Sequence, residues 1–237
     1  MNRIPCKMHS GSSDAFYFNS MKKHLIFFCC LTLYFQQLSA QTPFETTIPD
    51  TAEIKKWIHI KGHIVDELLW TDSLGENLLI TTETGDFISP NNPEQVDGED
   101  AELYAYHYLF AIDGAIETWK VYDYIHLCPV DMIAAFVDST THITDLDSNG
   151  IAEIWLMYRT VCHGDLSPLT MKIIMYESDQ KYALRGDTKI YMGTDDKGVK
   201  HYMGGDYKAD AAFINGPPVF LQHAISMWEK HLVVYDY

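Results

Sequence analysis

The 237-residue chain carries 33 acidic against 17 basic residues, so its formal net charge is −16. A surface this negative repels nucleic acid and anionic lipid and favours divalent cations, so we expect no nucleic-acid partner. The length fits one sizeable domain with its own hydrophobic core.

Residues 21 to 41 have the organisation of a secretory signal peptide. They read M-K-K-H-L-I-F-F-C-C-L-T-L-Y-F-Q-Q-L-S-A-Q, a basic start, an apolar core and a small-x-small end, and cleavage is expected after Ala40. The apolar core from Leu25 to Phe35 is too short to cross a bilayer, which takes about 20 residues. We therefore expect a secreted protein, periplasmic or at the cell surface, that is not membrane-spanning in its mature form.

The segment ahead of this leader, residues 1 to 20, is polar and without pattern. This favours Met21 as the true start and the first 20 residues as a non-native extension. Removing residues 1 to 40 leaves 13 basic and 32 acidic residues, a net charge of −19. Residues 43 to 237 are then predicted to form a single β-rich domain.

A loop of oxygen-bearing side chains lies in the stretch I-T-D-L-D-S-N-G-I-A-E-I-W-L-M-Y, which runs from Ile143 to Tyr158. Calcium takes six to eight oxygen ligands, and a glycine at a sharp turn tolerates positive φ. Water would complete the shell. The predicted calcium ligands are the side chains of Asp145, Asp147, Asn149 and Glu153 and the backbone carbonyl of Ile151.

This loop does not fit an EF-hand, because its twelfth position is Leu156 instead of a bidentate glutamate. It resembles the calcium loop of integrin α-chain FG-GAP repeats, D-x-[DN]-x-[DN]-G-x-x-[DE] between two strands. The resemblance implies calcium held between two strands and implies no catalysis. The alternative is an Asx-rich hairpin without metal, since Asp and Asn favour turns on their own.

A weaker version of the same pattern occurs earlier, from Trp70 to Thr81. It shares Thr-Asp, a glycine, a following acidic residue and an apolar strand with the stretch from Thr144 to Leu156. The second and third oxygen ligands are missing, so no metal is assigned to it.

Two cysteines, Cys128 and Cys162, remain once the leader is removed. In an exported protein two cysteines are expected to pair, and the bridge would enclose the whole calcium loop. In the chain-entropy model a loop of that size contributes about 3 to 4 kcal/mol. The alternative is two buried thiols.

Most of the remaining chain has the pattern of short β-strands, with runs rich in Tyr, Trp, Val, Ile and Thr between turn residues. Pro217 and Pro218 precede an apolar-periodic run, which indicates a helix start. The predicted fold is mainly β, with antiparallel strand-loop-strand units, propeller-blade-like or a sandwich, and one C-terminal α-helix packed on the sheet. The predicted strands are Glu53–Ile60, Ile64–Trp70, Asn77–Thr82, Ala101–Ile112, Ala115–Leu127, Met132–Val137, Ile154–Arg159, Leu169–Tyr176, Lys181–Leu184, Thr188–Met192 and Val233–Tyr237.

The usual catalytic motifs are absent from the sequence, including H-E-x-x-H, G-x-S-x-G and a phosphate loop. His163 and Asp165, in the string C-H-G-D-L-S-P, form a candidate polar cluster beside Cys162. With Asp131 or Glu153 they would supply the groups of an acid/base site.

Four strings together resemble a family of small exported bacterial proteins named for surface-polysaccharide biosynthesis: G-I-A-E-I-W-L-M-Y-R, C-H-G-D-L-S-P, T-M-K-I-I-M-Y-E and K-Y-A-L-R-G. The resemblance covers Ile143 to Asp187, implies a role in the envelope and transfers no catalytic residues. Two hypotheses follow. The first is a non-catalytic, calcium-stabilised envelope protein that binds or helps assemble a surface glycan, alone or with an envelope protein. The second is a hydrolase acting on a glycan or ester through the cluster near His163.

Overall fold

The computed structural model describes residues 44–47, 58–89, 97–112 and 114–234. The predicted leader, its cleavage point and residues 1–20 lie outside the described residues. The elements of the described part are β1 (His63–Asp72), β2 (Gly75–Phe87), β3 (Glu99–Ala111), β4 (Gly114–Cys128), β5 (Met132–Phe136), β6 (His142–Thr144), β7 (Glu153–Cys162), β8 (Thr170–Glu177), β9 (Gln180–Asp187), β10 (Lys189–Thr194), β11 (Lys200–Gly204), β12 (Tyr207–Ala209), α1 (Ala211–Asn215), α2 (Pro218–Lys230) and β13 (Val233–Val234).

The first four strands form an antiparallel sheet in the order β1-β2-β3-β4. Side chains alternate across the sheet, as the two-residue period of a strand requires. Leu79 and Leu103 on one face contact the second sheet, whereas Leu78 and Ile80 on the other face join Ile58 and a row of tyrosines. Both faces are therefore apolar near the middle of the sheet.

A second sheet contains six strands, with the order β12-β9-β8-β7-β5 and β6 paired to β7 beside β5. Its central strand β7 carries the apolar run I-W-L-M-Y. Ile154 and Leu156 face the four-stranded sheet, while Trp155 and Met157 face the helices. Apolar residues on both faces are typical of a strand that is covered on both sides.

The helices cover the outer face of the six-stranded sheet. Asp210 caps α1, because its side chain accepts a hydrogen bond from the Phe213 backbone N–H at 3.0 Å. α2 begins at Pro218, and its buried residues Phe220, Ala224, Met227 and Trp228 pack against the sheet. A small third sheet, β11-β10-β13, includes one parallel pair between β10 and β13.

The structure confirms a mainly β, antiparallel fold with a helix packed on a sheet, and the face-to-face packing of two sheets is that of a sandwich. The prediction of one C-terminal helix was incomplete, because the five-residue α1 precedes α2 and is too short to show a helical period. The prediction of a strand over Glu53–Ile60 was wrong at residues 58–60, which cross the outer face of the four-stranded sheet without strand pairing. Its other residues lie outside the described part.

Candidate metal centre

The loop from residue 145 to residue 152 joins β6 to β7, and Thr144 pairs with Glu153 at its base. One carboxylate oxygen from each of Asp145, Asp147 and Glu153 lies within 4.8 Å of the other two. The structure thus brings together three of the five predicted calcium ligands. Two flanking strands, in place of helices, agree with the exclusion of an EF-hand.

One carboxylate oxygen of Asp145 has no hydrogen-bond donor among the described residues. Its Oδ2 accepts a hydrogen bond from the Gly150 backbone N–H at 3.2 Å. Its Oδ1 is buried, and no residue in the described part of the chain donates a hydrogen bond to it. A buried acceptor without a partner costs free energy unless a donor or a cation satisfies it.

Glu153 is fully buried and organises the loop through its carboxylate. One oxygen accepts hydrogen bonds from the Thr144 hydroxyl at 2.6 Å and the Leu146 N–H at 2.9 Å, and the other also accepts from Leu146. Burial raises the pKa of Glu153, and the neighbouring Asp147 charge adds to this effect. A carboxylate has about four lone-pair positions, so these donors leave room for a cation.

Asn149 and Ile151, the other two predicted ligands, are hydrogen-bonded to each other. The Asn149 Oδ1 accepts the Ile151 backbone N–H at 2.7 Å, and its Nδ2 donates to Asp147 Oδ2 at 3.2 Å. The first of these is an Asx-turn bond, which the metal-free alternative also requires. Together the two bonds use one lone pair of the Asn149 amide oxygen, so they are compatible with a calcium-bound loop and with a metal-free turn.

Glu177 is an acidic neighbour of the loop that sequence analysis missed. It ends β8, pairs with Glu153 across the sheet and accepts a hydrogen bond from Asn149 Nδ2 at 2.6 Å. Burial raises the pKa of its carboxyl, and the charges of Asp147 and Asp145 add to the rise. A divalent cation in the loop would relieve this concentration of negative charge.

The turn between β1 and β2 packs directly on the loop. The Ser73 N–H donates to the Gly150 carbonyl at 2.8 Å, and the Ala152 N–H donates to Asp72 Oδ2 at 3.1 Å. Asp72 also accepts from the Leu74 N–H at 2.8 Å, which fixes the turn. The weaker version of the loop pattern, from Trp70 to Thr81, therefore contacts the Asp145–Glu153 loop in the structure. The candidate metal centre lies where the four-stranded and six-stranded sheets meet.

The predicted disulfide is present between Cys128 and Cys162, with a Cα–Cα distance of 5.8 Å. It joins the end of β4 to the end of β7. The loop contacts the other end of β7, so this strand is attached to the four-stranded sheet at both ends.

His163 and Asp165 lie beside the disulfide, in the wall of an open cavity of about 470 Å³ that Asp131 also lines. The His163 Nδ1 lies 3.4 Å from Asp165 Oδ1, and the Ser167 hydroxyl donates to the same carboxylate oxygen at 2.5 Å. Hydrogen bonds from Ser167 and then His163 lower the pKa of Asp165. The group therefore stays ionised, which suits a base and not a general acid.

Comparison with protein-family models, with curated proteins and with solved structures finds no match to this chain. Within the described residues, no helix is both long enough and apolar enough to cross a bilayer.

Proposed function

We propose that this protein is exported, binds calcium in the Asp145–Glu153 loop, and acts without catalysis in the cell envelope by binding a surface glycan or assisting its biosynthesis. Calcium is the cation proposed because the donors are carboxylate, amide and carbonyl oxygens, which a hard ion prefers. The leader predicted from the sequence supports an exported location, and the disulfide suits an oxidising compartment.

One observation carries the cation proposal. Three carboxylates converge within 4.8 Å, and one of them, Asp145, has a buried oxygen with no donor in the described part of the chain. Carboxylates this close repel one another strongly in a partly buried loop. A divalent cation supplies the missing partner and converts the repulsion into attraction.

The surface proposed to bind the glycan is the edge strand β4 of the four-stranded sheet. Tyr122 and Tyr124 on β4 are 47% and 55% exposed, and their rings continue a stacked row that begins inside the sheet at Tyr104. Tyr122 also donates to Glu102, which forms an ion pair with Lys61. Exposed aromatic rings beside polar groups are the combination that a sugar needs, since its C–H faces stack and its hydroxyls form hydrogen bonds.

An array of bacterial surface polysaccharides, probed with and without calcium, tests this function. We expect retention of a glycan by the wild-type protein and about a tenfold or greater loss for the double variant Tyr122→Ala/Tyr124→Ala. Tyr191→Ala is the matched control, because Tyr191 is similarly exposed but lies on β10. No retained glycan, or equal losses in the two variants, would contradict the proposal.

The alternative function, a glycan or ester hydrolase, has one observation in its favour. Asp131, His163 and Asp165 line one open cavity. The hydroxyl of Ser167 donates to Asp165, however, whereas in a Ser-His pair the serine hydroxyl donates to an imidazole nitrogen. Hydrolysis of a glycan bound on the array, lost in His163→Gln, would favour this alternative over the non-catalytic one.

A further inference from the structure

A pair of histidines joins the six-stranded sheet to α2. His142 lies on β6 and His223 on α2, and their Nε2 atoms are 2.9 Å apart. Both rings contact the buried Trp155, at centroid distances of 6.2 and 4.6 Å. The indole is oriented by a hydrogen bond from its Nε1 to the Thr144 hydroxyl at 2.8 Å. Both imidazoles therefore pack against an aromatic ring whose orientation is fixed.

The hydrogen bonds determine where the proton of His142 lies. Its Nδ1 is 2.6 Å from the carbonyl oxygen of Thr140, and a carbonyl oxygen can only accept. Nδ1 therefore carries the proton, and Nε2 of the neutral ring presents a lone pair toward His223. A backbone carbonyl that orients an imidazole through its other nitrogen is the usual support of a metal-binding histidine.

The surroundings leave room for an ion. The two rings line an open cavity of about 280 Å³ together with Ser139, Ser226, His231 and the exposed Lys230. Among the residues that the structure describes, the only cluster of three or more His, Cys or acidic donors is the one in the Asp145–Glu153 loop. The histidine pair would thus supply two ligands, and the remaining coordination positions would face the cavity.

We propose that His142 and His223 bind a transition-metal dication, Zn²⁺ or Cu²⁺, through their two Nε2 atoms. Neutral imidazole is a preferred ligand of these ions, whereas calcium takes oxygen, so this site and the loop select different metals. In the metal-free protein His223 donates its Nε2 proton to His142. On binding, that proton moves to Nδ1 of His223 or to solvent, and both lone pairs face the ion.

The geometry requires only a small adjustment. Zinc–nitrogen bonds of about 2.0 to 2.1 Å at a tetrahedral angle separate the two nitrogens by about 3.3 Å. The present 2.9 Å separation therefore has to open by about 0.4 Å, which side-chain rotation at the wall of an open cavity accommodates.

Calorimetric titration of the protein with ZnCl₂ at pH 7.5, in saturating calcium so that the loop is occupied, tests the proposal. We expect one zinc ion per chain and affinity about tenfold or more weaker in His142→Gln and in His223→Gln. His201→Gln is the control, since His201 is an exposed histidine 3.3 Å from a carboxylate oxygen of Asp195. Equal zinc affinity in the wild type and both site variants would overturn the proposal.

A spectroscopic measurement on the wild-type protein does not depend on how well the variants fold. Electron paramagnetic resonance of one equivalent of Cu²⁺ should show coupling to two imidazole nitrogens. A spectrum with oxygen ligands only, or with coupling to a single nitrogen, would show that the pair is a hydrogen bond between β6 and α2 and not a metal site.

Discussion

Gly150 shows how one residue position constrains the candidate metal centre. Its φ of +80° lies in the left-handed region, and a Cβ added there would lie 2.6 Å from the Ser73 Oγ. The same residue donates its N–H to Asp145 and accepts from the Ser73 N–H through its carbonyl. The turn therefore requires a residue without a side chain, both for its conformation and for its contact with the neighbouring turn.

Gly150→Ala is expected to lower the free energy of unfolding by about 1 to 3 kcal/mol from backbone strain. Displacement of the Ser73 hydroxyl should cost about 1 kcal/mol more. Gly198→Ala is a close control, because its φ is +79° and nothing lies within 4 Å of the added Cβ. Urea unfolding of both variants measures the difference. Equal destabilisation would mean that the contact with Ser73 imposes no constraint.

The surroundings of His107 lower the pKa of its imidazole strongly. Its ring stacks with Trp119 at 4.9 Å and lies near Trp70 at 5.5 Å, and Nδ1 is 2.5 Å from the Thr118 hydroxyl. Burial lowers its pKa to about 4, although the charge of Asp72 acts in the opposite direction. The folded protein therefore holds this imidazole neutral through mildly acidic pH.

This shift predicts a loss of stability on acidification. The unfolded chain binds a proton at His107 near pH 6.5, but the folded chain does so only near pH 4. The stabilisation is complete above pH 6.5 and falls by about 3 kcal/mol as the pH drops to 4. Urea unfolding in EDTA at pH 7, 5.5 and 4 should show a smaller loss for His107→Gln than for His201→Gln. Parallel losses in the two variants would contradict this assignment.

Among the elements, β7 connects the candidate metal centre to the disulfide. It begins at Glu153, where the candidate metal centre contacts the turn between β1 and β2, and it ends at Cys162, where the disulfide reaches β4. Its buried residues pack in two separate hydrophobic clusters. The position of β7 relative to the four-stranded sheet is thus set by a covalent bond at one end and by the loop at the other.

Replacing both cysteines, Cys128→Ser/Cys162→Ser, should lower the free energy of unfolding by about 3 to 4 kcal/mol. The bridge spans 34 residues, and the unfolded chain gains the corresponding loop entropy when it is removed. Chemical denaturation of the oxidised wild type and the double variant measures the loss. A difference below about 1 kcal/mol would mean that the packing of β7 alone determines its position.

The elements differ in how far the sequence could predict them. β7 and β8 were predicted because each contains a continuous apolar run of strand length, and α2 because its apolar residues recur at helical spacing. β11 and β12 were missed, since every residue of β11 is exposed and β12 has only three residues. Glu177 was missed because seven residues separate β7 from β8, so no tight turn fixes the register that places it opposite Glu153.

The described part of the molecule contains three sheets, and the two larger ones meet at the Asp145–Glu153 loop, with the helices behind the six-stranded sheet. The strongly negative charge of the chain opposes close approach of acidic groups. A cation at the loop would offset part of that repulsion where the sheets meet. Calcium binding is therefore expected to stabilise the fold as a whole and not the loop alone.

Calorimetric titration with calcium tests this account most directly. The wild-type protein should bind one calcium ion per chain, and Asp145→Asn should remove that binding while Asp196→Asn, at an exposed turn elsewhere, leaves it unchanged. The melting temperature should rise with calcium in the wild type and in Asp196→Asn, but not in Asp145→Asn. No heat of calcium binding in the wild type, or equal binding by Asp145→Asn, would contradict the account.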